Sequence, residues 1–336
     1  MKSLLYPLKF EPIYQYRLWG GRKLETLLSK PLPNNEPIGE AWILSDRKDH
    51  ASKVSEGPLQ GYTITQLMKQ YPDDLMGKLK DHYDRFPLLL KFLDCKEVLS
   101  VQVHPSDDQE EYIPEGDTGK TEAWVVLETA KDSLIYTGLK PGSNEQNLRN
   151  AVQSNCVDER LHSFIPKPGD GVFIHSGTVH TLKGAVVFEV QENSDVTFRL
   201  YDWDRVDART GKPRDLQVNE ALACIDFAQI NIGPVRPVKE GLNSKTEKLF
   251  DDEHFILWRT KSDSAFTVGC KNEPRVLVCL KGNGILRYDE NDFSINKGDV
   301  MLVPAVVGQC NFRPDNEITL LEIAIPAKYV RSTKAQ

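Results

Sequence analysis

Leu99-Ser100-Val101-Gln102-Val103-His104-Pro105 reads as a short strand that stops at a proline, closing an apolar run that begins at Phe86. Gln102 and His104 stand two apart, so a strand turns both side chains to the same face. An imidazole beside a carboxamide at a strand end is half of a metal site. It is also an ordinary solvent-facing strand end, and short motifs recur by chance. Residues further along the chain decide between the two.

Most of the chain is written in the same way, as short β-branched or aromatic runs bounded by Gly, Pro, Asp and Ser. Residues 41–44, 98–103, 123–127, 172–174 and 185–190 read as strands, followed by 275–280, 284–288 and 300–303. Helical patterns are fewer: 22–28, 63–80 with a break at Pro72, 144–153, and 215–227 with Asp215 as its N-cap. Strands and helices do not alternate, which argues against a doubly wound sheet. A mainly β fold, an all-β barrel or jelly roll with a few added helices, fits better. The Gly/Pro-rich stretch 231–237 marks a boundary near residue 235. Lys167-Pro168-Gly169-Asp170 and Lys297-Gly298-Asp299 each feed a strand, an internal similarity that suggests two related halves, 1–235 and 236–336. The second half has a single histidine, His254, and reads as scaffold.

A length of 336 residues allows a substantial core. Hydrophobic content of 40% and charged content of 27% are those of a globular chain, and a net charge of −7 without a basic block argues against nucleic acid. The six cysteines contain no C-x-x-C pair and read as buried thiols in a reducing compartment. No stretch has the length of a membrane span, and the N-terminal apolar run is too short for a signal-peptide core. A cytoplasmic protein without membrane or nucleic-acid partners is expected.

Glu122 stands at the mouth of an apolar strand, eighteen residues after His104. If Lys183-Gly184 is the tip of a two-residue hairpin, His180 and Glu189 share one face of it with Thr178 and Val187. In the next strand Thr197, Arg199 and Tyr201 alternate against Val196, Phe198 and Leu200. Inward-facing polar groups must be paired or bound to something. A satisfied polar core is one reading and a site is the other. The number of ionisable groups on inward positions favours the site.

The runs 99–105, Gly119-Lys120-Thr121-Glu122, 176–180 and 191–195 with Arg199 resemble type I phosphomannose isomerases of the cupin superfamily, in the shorter bacterial form. The resemblance extends from Trp19-Gly20-Gly21 and Gly39-Glu40-Ala41-Trp42 to about residue 225 and is diffuse beyond. It implies two cupin-type jelly-roll β-barrels, one zinc ion per chain held by Gln102, His104, Glu122 and His180, and a metal-free second barrel. It implies interconversion of mannose 6-phosphate and fructose 6-phosphate by a monomer or weak homodimer. Arg199 matches the family's essential arginine. Glu189, Lys120 and Asp195 are alternatives for the base, while Lys91 and Ser100 resemble the phosphate contacts. Arg205 is expected as a second cation near the site. His175 stands where the family has proline and is not expected to be a ligand. A different metal-bound cupin, either a dioxygenase or a sugar-binding regulator, is the alternative. Dioxygenases of that kind present three histidines and a glutamate, so Gln102 argues against them.

Overall fold

The computed structural model describes residues 3–241 and 245–327. The chain divides into two compact units, one formed by Ile13–Trp42 with Leu88–Val235, the other by Met1–Pro12 with Ile43–Pro87 and Arg236–Gln336. A break falls at Val235/Arg236, but the expected sequential cut differs from these units, because two early stretches belong with the C-terminal part. The reason is strand and loop pairing. Leu8 stands opposite Leu302, and the backbone N–H groups of Ala305 and Val306 donate to the carbonyls of Leu75 and Asp74. Local sequence pattern carries no trace of such distant partners.

The first unit is built on a nine-stranded sheet. Its main path runs Gly171–Ile174, Glu122–Leu139, His180–Glu192, Leu88–Cys95, Ile13–Gly21 and Ile38–Leu44. Every residue of Leu88–Cys95 is buried, as suits a central strand covered on both faces. Val101–Val103 pairs with Phe198–Tyr201 and meets His180–Glu192 where His180 stands opposite Gln102.

The hairpin expected at Lys183-Gly184 does not form; His180–Glu192 is one continuous strand. Gly184 takes a left-handed φ of +70° at a register shift, and Ser133 Oγ donates to its carbonyl. The pairing with Glu122–Leu139 shifts there and again between Val186 and Val187, which breaks the simple alternation along the strand. His180 and Glu189, nine residues apart, therefore meet the same indole: the Trp124 ring lies 5.5 Å from the His180 ring, and its Nε1 donates to Glu189 Oε2 at 2.7 Å. The alternation expected through Tyr201 also stops early. A register shift after Arg199 turns Tyr201 into an apolar core with Val101, Leu161 and Ala221.

Helix starts follow side-chain chemistry. Thr63 and Gln66 form a capping box for Ile64–Gln70, Pro72 opens Pro72–Met76, and Asn144 caps Glu145–Gln153. Asp215 caps nothing. The helix Val218–Cys224 starts after Gln217, and the Asp215 carbonyl accepts a hydrogen bond from Arg199 Nη1 instead.

In the other unit a seven-stranded and a four-stranded sheet contribute to one core, with Leu277, Met301 and Leu320 from the first meeting Leu286, Ile295 and Phe312 from the second. The two units repeat one turn. Asp170 Oδ2 accepts from the N–H of Lys167, and Asp299 Oδ2 from that of Asn296. Gly169 and Gly298 have φ of +94° and +87°, and their N–H groups donate to Val126 and Cys279, whose own N–H groups donate to Asp170 and Asp299. Among the described residues no helix is long and apolar enough to cross a membrane.

Candidate active site and metal centre

Four side chains converge at the strand ends of the first unit. Gln102 comes from Val101–Val103, His104 follows it, and Glu122 and His180 open their own strands. Glu122 Oε2 lies 3.5 Å from His104 Nε2, and its Oε1 lies 3.2 Å from His180 Nε2. The Gln102 carboxamide stands 3.1 Å from the same His180 nitrogen. The backbone fixes both imidazoles from behind, since each Nδ1 sits 2.8 Å from a carbonyl, that of Val196 for His104 and of Thr178 for His180. A proton held at Nδ1 leaves Nε2 as the donor atom facing inward.

This cluster fits a cation. Among the described residues, His104 Nε2 and Glu122 Oε1 are buried without a hydrogen bond. Leaving such atoms empty-handed costs free energy, and a metal ion satisfies all of them together. Burial and the Lys120 charge push His104 down to about 3, so its ring is neutral, as a ligand must be. Burial alone raises the Glu122 carboxyl, but Lys120 and the two histidines outweigh it and hold the group well below the usual carboxylate range. Two imidazoles and a carboxylate are donors that zinc accepts.

Beside the cluster opens a cavity of about 400 Å³ whose wall is mostly charged. Lys120 Nζ lies 3.0 Å from Glu122 Oε2, and Lys91 Nζ 3.2 Å from Glu189 Oε1. Lys91 also sits 5.0 Å above the Trp42 ring. Arg17 grips Glu40 through Nε and Nη2 at 2.8 and 3.2 Å, and Trp42 Nε1 adds a 2.6 Å bond. Against the penalty of burial, Arg17, Lys91 and Trp42 hold Glu40 down at about 2. Burial and the nearby Glu122 raise Glu189, while Glu122, Glu189 and Asp195 outweigh burial to raise Lys120. Arg199 stands opposite Gln102, and its buried Nε has no partner among the described residues.

The structure brings Lys91, Ser100, Gln102, Lys120, Glu189, Asp195 and Arg199 to this one cavity. Arg205 does not join them. Its guanidinium is spent on the Val98 carbonyl and on Asp202 Oδ1 at 2.5 Å, and it lines a separate recess with Glu36 and Arg209. His175 is exposed, packs its ring against Phe173 and stands outside the metal cluster. Among the charged lining residues, Arg17, Glu40, Asp207 and Arg214 escaped sequence reasoning. Arg17 and Glu40 each stand two residues from a tryptophan, Trp19 and Trp42, and strand parity could have found them. Arg214 lies on irregular backbone and carries no such signal.

The model of the type I phosphomannose isomerase catalytic domain matches residues 7–132. A mannose-6-phosphate isomerase of Bacillus subtilis, ManA, is 32% identical over 304 residues, covering 90% of this chain and 94% of its own length. The chain belongs to the type I phosphomannose isomerase family. The phosphomannose isomerase of Streptococcus mutans is 30% identical, covering 93% of this chain and 96% of the relative. The crystal structure of the mannose 6-phosphate isomerase from Bacillus subtilis superposes with a TM-score of 0.85 at 30% identity, over 95% of this chain and 99% of that one.

Proposed function

We propose that the protein is a zinc-dependent aldose–ketose isomerase that interconverts mannose 6-phosphate and fructose 6-phosphate. The observation that carries this reading is the convergence of Gln102, His104, Glu122 and His180 beside a cavity that also holds Lys120, Glu189 and Arg199. The curated relatives named for this activity support it. When bound, zinc supplies a Lewis acid for the sugar's carbonyl and hydroxyl oxygens, and with one carboxylate among its ligands it keeps about one net positive charge.

The reaction moves a proton from C2 to C1 through a cis-enediol. Of the candidates, Glu189 suits the base: its buried carboxylate faces the cavity, Trp124 and Lys91 fix it, and its raised pKa strengthens it. Lys120 stays an ammonium ion beside Glu122 and offsets negative charge rather than accepting a proton. Asp195 is exposed at the cavity and adds to its field. Arg199, always charged, would stabilise the negative charge that develops on the substrate oxygen as the proton moves. Ser100 offers a hydroxyl to the substrate, and Lys91 orients Glu189 while it lines the same wall. Six free thiols suit a cytoplasmic setting.

Nuclear magnetic resonance of mannose 6-phosphate mixed with the protein should show fructose 6-phosphate forming. Glu189→Gln and Arg199→Ala should each lower kcat by about 10²-fold or more. Full activity in either variant would overturn that residue's role, and absence of product from the zinc-loaded protein would overturn the reaction.

A further inference from the structure

Strand register sets Glu189 in the middle of a row. It stands directly opposite Trp124 on one side and Lys91 on the other, so the three side chains share one face of the sheet. Each carboxylate oxygen has its own donor. Oε2 accepts from the Trp124 indole N–H at 2.7 Å, and Oε1 faces Lys91 Nζ at 3.2 Å. An ionised carboxylate accepts at about four lone-pair sites, so both oxygens keep room for a proton. Trp124 also reaches the metal cluster. Its ring meets that of His180 edge-on, with centroids 5.5 Å apart and planes at 76°. Glu122 stands two residues before it in the same strand, which turns both side chains to one face. Glu189 lines the cavity, whereas Trp124 is fully buried. A single rigid indole thus spans from a metal-site imidazole to the carboxylate, behind the cavity wall.

We propose that Trp124 is a positioning residue that sets the separation of Glu189 from the metal centre, so that one sequestered carboxylate both removes and returns the substrate's proton. This rests on the isomerase reading of the cavity with Glu189 as its base. Glu189 takes the C2 proton as the C–H electron pair forms the C1–C2 double bond and the C1 carbonyl pair moves onto its oxygen. The same proton returns to C1 as the O2 pair forms the new carbonyl and the O2 proton passes to O1. Both transfers need the carboxylate oxygen within reach of two neighbouring carbons, and a displacement of about 1 Å can cost about 10²-fold in rate. Lys91 supplies charge through a flexible chain, whereas the indole supplies a fixed direction. Glu189 is only 3% exposed, so a proton held on it meets little water before it is returned.

Trp124→Phe keeps a ring against His180 and leaves the Lys91–Glu189 pair in place, but removes the N–H. Two readouts test the proposal. The first is turnover of mannose 6-phosphate carrying deuterium at C2, followed by nuclear magnetic resonance. Wild type should deliver part of the deuterium to C1 of fructose 6-phosphate. Trp124→Phe should lower kcat about tenfold or more with KM within about twofold, and should retain a smaller share of the deuterium. Its bound zinc should equal that of wild type. An unchanged kcat, an unchanged share of deuterium, or a loss of kcat matched by a loss of zinc would overturn the proposal. The second readout needs no turnover and so stands apart from the isomerase reading. The assigned Trp124 indole N–H resonance of nitrogen-15-labelled protein should lie downfield and move upfield in Glu189→Gln, as a charge-assisted bond becomes a neutral one. A resonance that Glu189→Gln leaves in place would overturn the proposal, whether or not Trp124→Phe folds.

Discussion

Lys91 illustrates what one buried charge demands. It interrupts an apolar strand, and both it and its partner Glu189 are almost fully sequestered, with side-chain exposures of 4% each. Removing one member of such a pair strands the other, at about 3–5 kcal/mol, whereas neutralising both is far milder. Lys91→Met should therefore lower unfolding free energy in urea by about 3 kcal/mol, and adding Glu189→Gln should restore much of the loss without restoring catalysis. An equally stable single variant would contradict the pairing. Glu40 makes a second residue-level case. Its folded pKa of about 2 lies below the ordinary value of 4.5, so the unfolded chain binds the proton more tightly. The stabilisation it gives is complete above about pH 4.5 and drains away as pH falls toward 2. Denaturation at pH 6 and pH 3 should show a loss for wild type that Glu40→Gln lacks in part, because the variant has no carboxylate to protonate.

At the scale of elements, the turns at Asp170 and Asp299 show where sequence is most readable. A Gly-Asp pair dictates both a left-handed residue and a side chain that bonds back to the backbone, and both instances do so. Asp299 also receives Lys9 Nζ at 2.8 Å, a bond Asp170 lacks a counterpart for among its ion pairs. Asp170→Ala should cost about 1 kcal/mol and Asp299→Ala more, measured as shifts in denaturation midpoint. Reversed order would contradict the added ion pair. Many of the strands, and most helix starts, were legible for the same reason: alternation, caps and prolines are local; Ile13–Gly21, Ile256–Ser262 and Ile318–Ala324 were not singled out. The Gly184 irregularity was not. Lys-Gly between two apolar runs is as good a hairpin signal as a bulge signal, and only the path of Glu122–Leu139 alongside decides. The inference that His180 and Glu189 share a face survived because the register shifts between them, like a hairpin, break the simple alternation.

For the whole molecule, the candidate metal centre was legible because its residues stand in short runs that resemble those of the family. The resemblance singled out Gln102, His104, Glu122 and His180, and the described structure brings them together. The Arg214 side of the cavity was not legible, since it depends on irregular backbone that Arg199 and Asp202 hold in place. Nor was the membership of 1–12 and 43–87, which follows from pairing with residues more than two hundred positions away. The central claim concerns the metal and the reaction together. Its most direct measurement is turnover of mannose 6-phosphate before chelation, after chelation and after zinc is added back, with bound metal counted at each stage. The account predicts one zinc per chain, loss of fructose 6-phosphate formation on chelation, and recovery on zinc addition in proportion to occupancy. Full turnover by metal-free protein would contradict it.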